Sequence, residues 1–298
     1  MGFSRYEAKM RAKLSMRGAY PHPMLVSLIY FLVTSGVTLV VELLVRNPFN
    51  TFYQEFILYV SAGYDPVEVL QYLSVGGVGG TLYLFLTILL NLYATVVGAG
   101  YYSYSLRLAR NEQPGYRNLL DGFYMVGRVI LMYILQYIFI MLWSLLGMIP
   151  YTVVFILGVV LLSPGLLILA VVLLFAGIIF GIAMSYRYRL AVHFLLDHPE
   201  MGPLASITAS KNAMKGWKWS LFVLDLSFLG WLILSLFTFG ILMLWLQPYM
   251  RATEANFYDF ATHGDYSSPD FRQNLYGRPN GRDAGPNRGQ PPPPGPGF

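Results

Sequence analysis

Apolar residues occupy the chain in long blocks, and most charged residues fall in the short segments between these blocks. A bilayer core of about 30 Å needs roughly twenty consecutive apolar residues to be crossed by one helix. Three blocks are long enough: 24–45, 81–106, and a tract between Arg128 and Arg187 that holds 58 residues without a charged side chain. The pattern predicts a membrane protein built from transmembrane helices.

The uncharged tract has room for two crossings of about twenty residues each. It is interrupted at Pro150 and again at Ser163-Pro164-Gly165, residues at which helices commonly kink or end. We therefore predict a helix over 128–149 and a returning helix over 165–188. The intervening segment, 151–162, is predicted to be either a kinked continuation of the first helix or a shallow re-entrant turn.

The last apolar tract, Trp219 to Tyr249, is 31 residues long. At 1.5 Å per residue it would make a helix of about 46 Å, too long for one crossing without strong tilt and short for two. A turn near Thr238-Phe239-Gly240 would divide it into helices over 219–237 and 239–258. The chain is then an all-α, polytopic bundle of six transmembrane helices, and a bundle of five is the alternative.

Charged residues inside the last tract favour this hairpin. Counted from the helix ends, Asp225 and Arg251 would both lie about 10 Å below the membrane surface. An isolated charge costs about 2.5–3.5 kcal/mol at the helix centre, so two opposite charges at one depth are expected to pair. We predict an intramembrane ion pair between them, with Glu254 one turn further on. The pair either locks the hairpin or serves as a proton or ion relay.

Lysine and arginine are concentrated on one side of the predicted bundle. The N-terminal arm, 1–23, carries five of them, the segment 107–128 carries four, and 187–218 carries five, whereas the opposite side has Arg46 alone. Because cytoplasmic loops are enriched in these residues, both termini are predicted to be cytoplasmic.

The remaining segments follow from composition. The basic arm has an apolar face and is expected to lie on the membrane surface in front of a helical domain over 24–263. Residues 49–73 suit one or two interfacial helices, and 76–80 suit a flexible joint. Residues 264–298 hold eight prolines and seven glycines and are predicted to be a disordered cytoplasmic tail.

Two sets of residues are candidates for binding and packing. Arginine and tyrosine at the cytoplasmic helix ends suit phosphate headgroups or general anchoring: Tyr104, Arg107, Arg110, Tyr186, Arg187 and Arg189. Small residues at a spacing of four suit close helix packing within the bundle or between copies: Ala94, Gly98, Gly177, Gly181 and Ser185.

Composition limits the chemistry that the chain can perform. Hydrophobic residues make up 56% of it and charged residues 12%, which excludes an ordinary soluble fold. The absence of cysteine excludes disulfides, thiolate nucleophiles and cysteine-ligated metals. We find no catalytic motif or phosphate-binding loop, and we predict no enzymatic activity, cofactor, metal or nucleic-acid partner.

Several segments resemble one family of bacterial membrane proteins. They are Ser210-Lys-Asn-Ala-Met-Lys-Gly216, Leu226-Ser-Phe-Leu-Gly-Trp231, Pro248-Tyr249 and Ala255-Asn-Phe-Tyr258, with Ile149-Pro150 and Asp197-His-Pro199 upstream. In this order they resemble the family known as domain of unknown function 975 and, more loosely, the membrane domain attached to some glycerophosphodiester phosphodiesterases. The resemblance implies a multi-pass protein of the bacterial cytoplasmic membrane with no established activity.

Taken together, these features lead to two functional hypotheses. The first is a non-enzymatic accessory of the cell envelope that binds or helps move lipids or amphiphiles, with membrane phospholipids and a membrane protein as possible partners. The alternative is a secondary transporter that uses the Asp225–Arg251 pair. The oligomeric state is left open.

Overall fold

The computed structural model describes residues 3–45, 47–72 and 78–263, and within these ranges every regular element is a helix. The predicted tail, 264–298, lies outside the described residues, as do Arg46 and the first residues of the predicted joint, Gly76 and Gly77. The rest of that joint, 78–80, forms the first turn of a long helix.

The first elements are the arm and one crossing helix. Helix α1 (Arg5–Arg17) begins at Ser4, whose side chain accepts a hydrogen bond from the backbone N–H of Glu7 at 3.3 Å. Helices α2 (Pro23–Phe31) and α3 (Val37–Leu44) are joined by one wider helical turn and together form a continuous apolar helix.

Two short helices follow, in the segment predicted to be interfacial. Helix α4 (Pro48–Ser61) is capped by the side chain of Asn47, and α5 (Pro66–Tyr72) starts beside Asp65, whose carboxylate accepts from the N–H of Val67. In both helices proline occupies the first turn, where its missing N–H costs no hydrogen bond. Helix α6 (Val78–Ala109) then returns, and a short helix, α7 (Asp121–Tyr124), follows it.

The uncharged tract forms one helical hairpin. Helix α8 (Val126–Val160) continues past Pro150, and α9 (Pro164–Ser185) returns from it. The predicted continuation of the first helix into 151–162 is therefore present as far as Val160, and the predicted end of that helix at 149 is wrong. Packing against α9 explains this, because Gly158 still lies against Leu166 and Leu167, well beyond the proline.

Small residues let α8 and α9 approach each other. A Cβ on Gly177 would lie 2.8 Å from the carbonyl oxygen of Gly147, and one on Gly181 would lie 3.0 Å from the hydroxyl of Ser144. Of the other predicted packing residues, Gly98 faces Tyr30, Ala94 lines a cavity between α3 and α6, and Ser185 bonds within its own helix.

Five helices follow between residues 191 and 263. These are α10 (Ala191–Asp197), α11 (Pro203–Ala213), α12 (Lys218–Leu226), α13 (Leu229–Phe237) and α14 (Met243–His263). The predicted turn near Thr238 is present, with Phe239 at φ 49° and Gly240 at φ 81°. The predicted helix over 219–237 is broken at Ser227-Phe228.

Five helical stretches in the described ranges are long and apolar enough to cross a membrane: Pro23–Leu44, Gly80–Ala109, Val126–Val160, Pro164–Asp197 and Lys218–Phe237. Helix α14, the sixth predicted crossing, is not among them, because its second half carries several charged and polar side chains.

Buried side chains collect at one end of these helices. Helix α6 exposes Leu82, Phe85 and Leu89 in its first half, whereas most residues of its second half are buried. The α8–α9 hairpin likewise exposes apolar residues over most of its length. The chain therefore has a compact core at the end where α6 and α9 finish, and apolar helices project from it.

Two glycines allow the backbone of α6 to contact the backbone of the 116–124 segment directly. A Cβ on Gly100 would meet the carbonyl group of Leu119, and a Cβ on Gly122 would meet the carbonyl oxygen of Val96, both far closer than real Cβ contacts. Any side chain at these positions must push α6 away from the 116–124 segment.

Replacing Gly100 with Ala is expected to destabilise the fold by about 1–3 kcal/mol, because the added carbon overpacks a contact made by rigid backbone. Thermal unfolding in detergent measures this. Gly127→Ala is the matched control, since a Cβ there meets nothing within 4 Å. Equal stability of the two variants would contradict the close approach.

Candidate functional site

A buried carboxylate joins three helical segments inside the core. Glu254 on α14 has only 6% of its side chain exposed. Its Oε1 accepts from Nε of Arg189 at 2.7 Å, and its Oε2 accepts from Nη1 of Arg251 at 2.9 Å. The same Nη1 of Arg251 donates to the Tyr102 hydroxyl on α6, and the guanidinium lies over that ring at 4.3 Å. We call Arg189, Arg251, Glu254 and Asp225 the first ion cluster.

The predicted direct pair between Asp225 and Arg251 is corrected by this geometry. Asp225 accepts from the Tyr186 hydroxyl at 2.9 Å and lies 3.8 Å from Nη2 of Arg189. Arg189 therefore contacts both carboxylates, with a hydrogen bond to Glu254 and a longer ion pair to Asp225. Counting residues from helix ends estimated depth but not the direction in which each side chain points.

A second ion cluster, Arg110, Asp197 and Asp259, lies further along α6 and α14. Arg110 donates to both oxygens of Asp197 at 2.6 and 2.9 Å and to Asp259 at 2.7 Å, while the Tyr258 hydroxyl donates to Asp197. Burial opposes the charge of Arg110, but the two carboxylates outweigh it and raise its pKa above the usual value. Paired charges of this kind hold helix ends together.

His193 lies between the two clusters. It is fully buried, stacks on Tyr258 at 5.2 Å and meets the edge of Tyr102 at 5.1 Å between ring centroids. Neither of its ring nitrogens has a hydrogen-bond partner among the residues that the structure describes. The sequence places His193 and Asp197 on one helical face, but it does not select His193 as a site, because that face lies at the helix end before Pro199.

Most of the six predicted headgroup residues point into the protein. Tyr104 is fully buried, while Arg110, Arg189 and Tyr186 bond carboxylates of the two clusters. Arg187 lies 5.3 Å from the Trp143 ring. Arg107 keeps half of its side chain exposed and lies 3.9 Å from Asp121. Carboxylates of the same chain therefore pair with most of the cations in this set, and their binding of headgroups stays a prediction.

The basic arm forms a different cationic surface. Ala8, Ala12 and Met16 bury one side of α1, and Asn256 of α14 donates to the carbonyl of Ala8 at 3.2 Å. Phe3 packs edge-on against Phe257 at 4.8 Å. The arm is thus docked on α14 along its length.

The outer side of α1 carries two parallel stripes. An apolar stripe is formed by Tyr6, Met10 and Leu14, all exposed, and a basic stripe runs beside it through Arg5, Lys9, Lys13 and Arg17. Both have a spacing of four, which places each stripe on one helical face. Partial burial, together with the neighbouring charges of Lys13 and Arg5, lowers the pKa of Lys9 below its usual value.

An open groove of about 550 Å³ separates the start of α1 from the α12–α13 break. Arg5, Tyr6, Lys9 and Ser227 are among the residues that line it. Lys9 donates to the carbonyl of Ser227 at 3.2 Å and lies over the Phe228 ring at 4.1 Å. Within the described ranges, no three His, Asp or Glu side chains stand together as metal ligands.

Replacing Arg189 with Gln is expected to destabilise the fold by about 3 kcal/mol, because Glu254 would remain buried beside one cation instead of two. Chemical unfolding in detergent measures the change. The double variant with Glu254→Gln should recover part of the lost stability, since it also removes the buried carboxylate that has lost one of its two cations.

Arg187→Gln is the matched control for Arg189→Gln, because it removes the same charge at a position two residues before Arg189. Its cation–π contact is worth about 1 kcal/mol or less. Equal losses for the two arginines would contradict the role of Arg189 as the bridge.

Comparison with known proteins adds one finding. No curated protein and no solved structure matches the chain. A family model described as "Protein of unknown function (DUF975)" matches residues 1–263, which includes all the helices above. The chain therefore belongs to the DUF975 family.

Proposed function

We propose that this chain is a non-enzymatic, multi-pass protein of the bacterial cytoplasmic membrane that binds anionic phospholipids or similar amphiphiles at the membrane surface. In this role it would help to move these molecules or present them to a membrane protein partner. Both termini are placed in the cytoplasm, and the support for this is the distribution of lysine and arginine along the sequence.

The observation that carries the proposal is the pair of stripes on α1. Exposed Tyr6, Met10 and Leu14 suit insertion among the upper carbons of acyl chains, and the basic stripe lies at the height of the headgroups. A docked helix of this kind loses little freedom on binding, since contacts with α14 already fix its position.

The electrostatics of the stripe support an anionic ligand. Four cations at a spacing of four residues repel one another, and the lowered pKa of Lys9 reflects that repulsion in part. A phosphate in the adjoining groove would relieve it. The looser resemblance to the membrane domain of glycerophosphodiester phosphodiesterases stays a prediction and agrees with a phospholipid ligand.

The variant Arg5→Gln/Lys9→Gln/Lys13→Gln is expected to bind phosphatidylglycerol roughly 100-fold more weakly. Each cation near an anionic surface contributes about 1 kcal/mol, and about 1.4 kcal/mol corresponds to a factor of ten. Native mass spectrometry of the full chain, titrated with phosphatidylglycerol and with phosphatidylcholine, measures the bound lipid.

The control carries the same change of charge on three exposed cations outside α1, Arg117→Gln/Lys211→Gln/Lys215→Gln. It should bind phosphatidylglycerol as the unmodified chain does. A similar loss in both triple variants would show an effect of net charge alone, and equal binding of the two lipids by the unmodified chain would refute recognition of anionic headgroups.

A secondary transporter is the second candidate, and His193 supports it. Membrane-embedded ionisable groups often mark proton paths. The two ion clusters together hold three arginines and four carboxylates. The buried ring of His193 lies between them, and its nitrogens have no hydrogen-bond partner within the described part of the chain.

If the chain moves protons, vesicles that contain it should acidify under a proton gradient, as reported by an enclosed pH-sensitive dye. Asp225→Asn should then abolish the flux while the melting temperature stays unchanged. The lipid-binding proposal expects no flux in the unmodified chain.

A further inference from the structure

The vertical position of the last hairpin can be measured against α6. Arg110, the residue that follows α6, bonds Asp259 on α14, and Tyr102 on α6 bonds Arg251 on α14. Each bond joins residues that are 149 positions apart in sequence. Because two contacts eight residues apart keep one offset, α6 and α14 run side by side in the same direction without slipping.

The same offset shows how far the hairpin reaches. Met243, where α14 begins, is level with Ala94 of α6, whereas α6 itself begins sixteen residues earlier, at Val78. That difference is about 24 Å of helix. The connecting turn, 238–242, has five residues and must lead back to the level at which it starts. It can therefore extend the hairpin beyond the start of α14 by at most about 8 Å.

The apex of the hairpin therefore stops inside the apolar layer. Leu82 and Phe85 of α6 lie beyond the level that the apex reaches, and both are exposed and apolar. A membrane that covers these residues extends past the hairpin by about two helical turns.

The base of the hairpin lies at the surface of the membrane. The ammonium group of Lys9 bonds the carbonyl of Ser227, at the break between α12 and α13, and an ammonium group is expensive to place in hydrocarbon. From Ser227 to Phe239 there are twelve residues, about 18 Å as helix. This is little more than half of a core of about 30 Å.

No part of the chain between residues 3 and 263 that the structure describes covers the apex. Leu236 and Phe237 are 76% and 77% exposed, and Phe239 is 97% exposed. In water, apolar surface of this size would cost several kcal/mol. Its natural surroundings are the ends of acyl chains.

From the register, the reach and the exposed apex, we infer that α13 and α14 form a re-entrant hairpin. It enters the leaflet on the side of both termini, places Phe239 among acyl chains near the bilayer centre, and leaves on the same side. Lys218–Phe237, although long and apolar enough to cross, contributes only its second half to the membrane. The bundle then has four full crossings and one half-crossing.

The absence of cysteine makes this inference directly testable, since any introduced thiol is the only one in the chain. The full chain is reconstituted in vesicles of phosphatidylethanolamine and phosphatidylglycerol as three single variants. Lys13→Cys marks the side of the arm, Leu162→Cys marks the apex of the α8–α9 hairpin, and Phe239→Cys marks the apex of the last hairpin. All three positions are exposed, so the fold should tolerate each change.

A membrane-impermeant maleimide should label Lys13→Cys and Leu162→Cys from opposite sides and Phe239→Cys from neither. A nitroxide on Phe239→Cys should be relaxed strongly by oxygen and weakly by a water-soluble nickel chelate, as expected at the bilayer centre. Labelling of Phe239→Cys from the side of Leu162 would show a full crossing, and labelling from the side of Lys13 would show that the apex lies in water. Either result, or protection of the nitroxide from oxygen, overturns the inference.

Discussion

Two arginines that share one buried carboxylate set the position of the last helix. Removing Glu254 from water costs several kcal/mol, and only close, hydrogen-bonded cations can offset that cost. Arg189 comes from the turn after α9, and Arg251 comes from α14 itself and reaches Tyr102 of α6. Helix α14 can satisfy all these bonds in one register only. The docking of the arm on α14 and the height of the final hairpin both depend on that register.

Turning the charges inward changes what the outer surface presents. A ring of arginines at the helix ends would bind headgroups in many membrane proteins. Here Arg110 and Arg189 are held by aspartate and glutamate from neighbouring helices. On α1, by contrast, Arg5, Lys13 and Arg17 are exposed and form a row beside exposed Tyr6, Met10 and Leu14. One short helix that rests on the core thus combines exposed cations with exposed apolar side chains.

Sequence reasoning succeeded where the bilayer itself imposes the answer. The block 24–45 and the helix Pro23–Leu44 nearly coincide, because the thickness of the membrane sets the length of an apolar helix. The turn near Thr238 was also predictable, since Gly240 readily adopts the positive φ that it needs. Residue types and their spacing were sufficient in both cases.

Tertiary packing determined the rest. Pro150 does not end α8, because α9 supports the helix beyond it, and no local signal reports that support. The number of residues from a helix end gives the depth of a side chain but not the direction in which it points. The sequence therefore could not identify Arg189 as the residue that contacts both Glu254 and Asp225. Gly100 and Gly122 are isolated glycines, and only the structure shows that each faces another backbone.

The length of the α8–α9 hairpin links the core to the material properties of the membrane. From Tyr137 to Val160, where α8 ends, exposed apolar residues extend over about 35 Å of helix. This exceeds the hydrocarbon thickness, so the hairpin must lean or the bilayer must thicken around it. Trp143 and Tyr188 bond each other at 3.0 Å at the foot of the hairpin, one residue from Arg189. The foot of the hairpin is therefore connected to Arg189, which bonds Glu254, through one hydrogen bond and one peptide link.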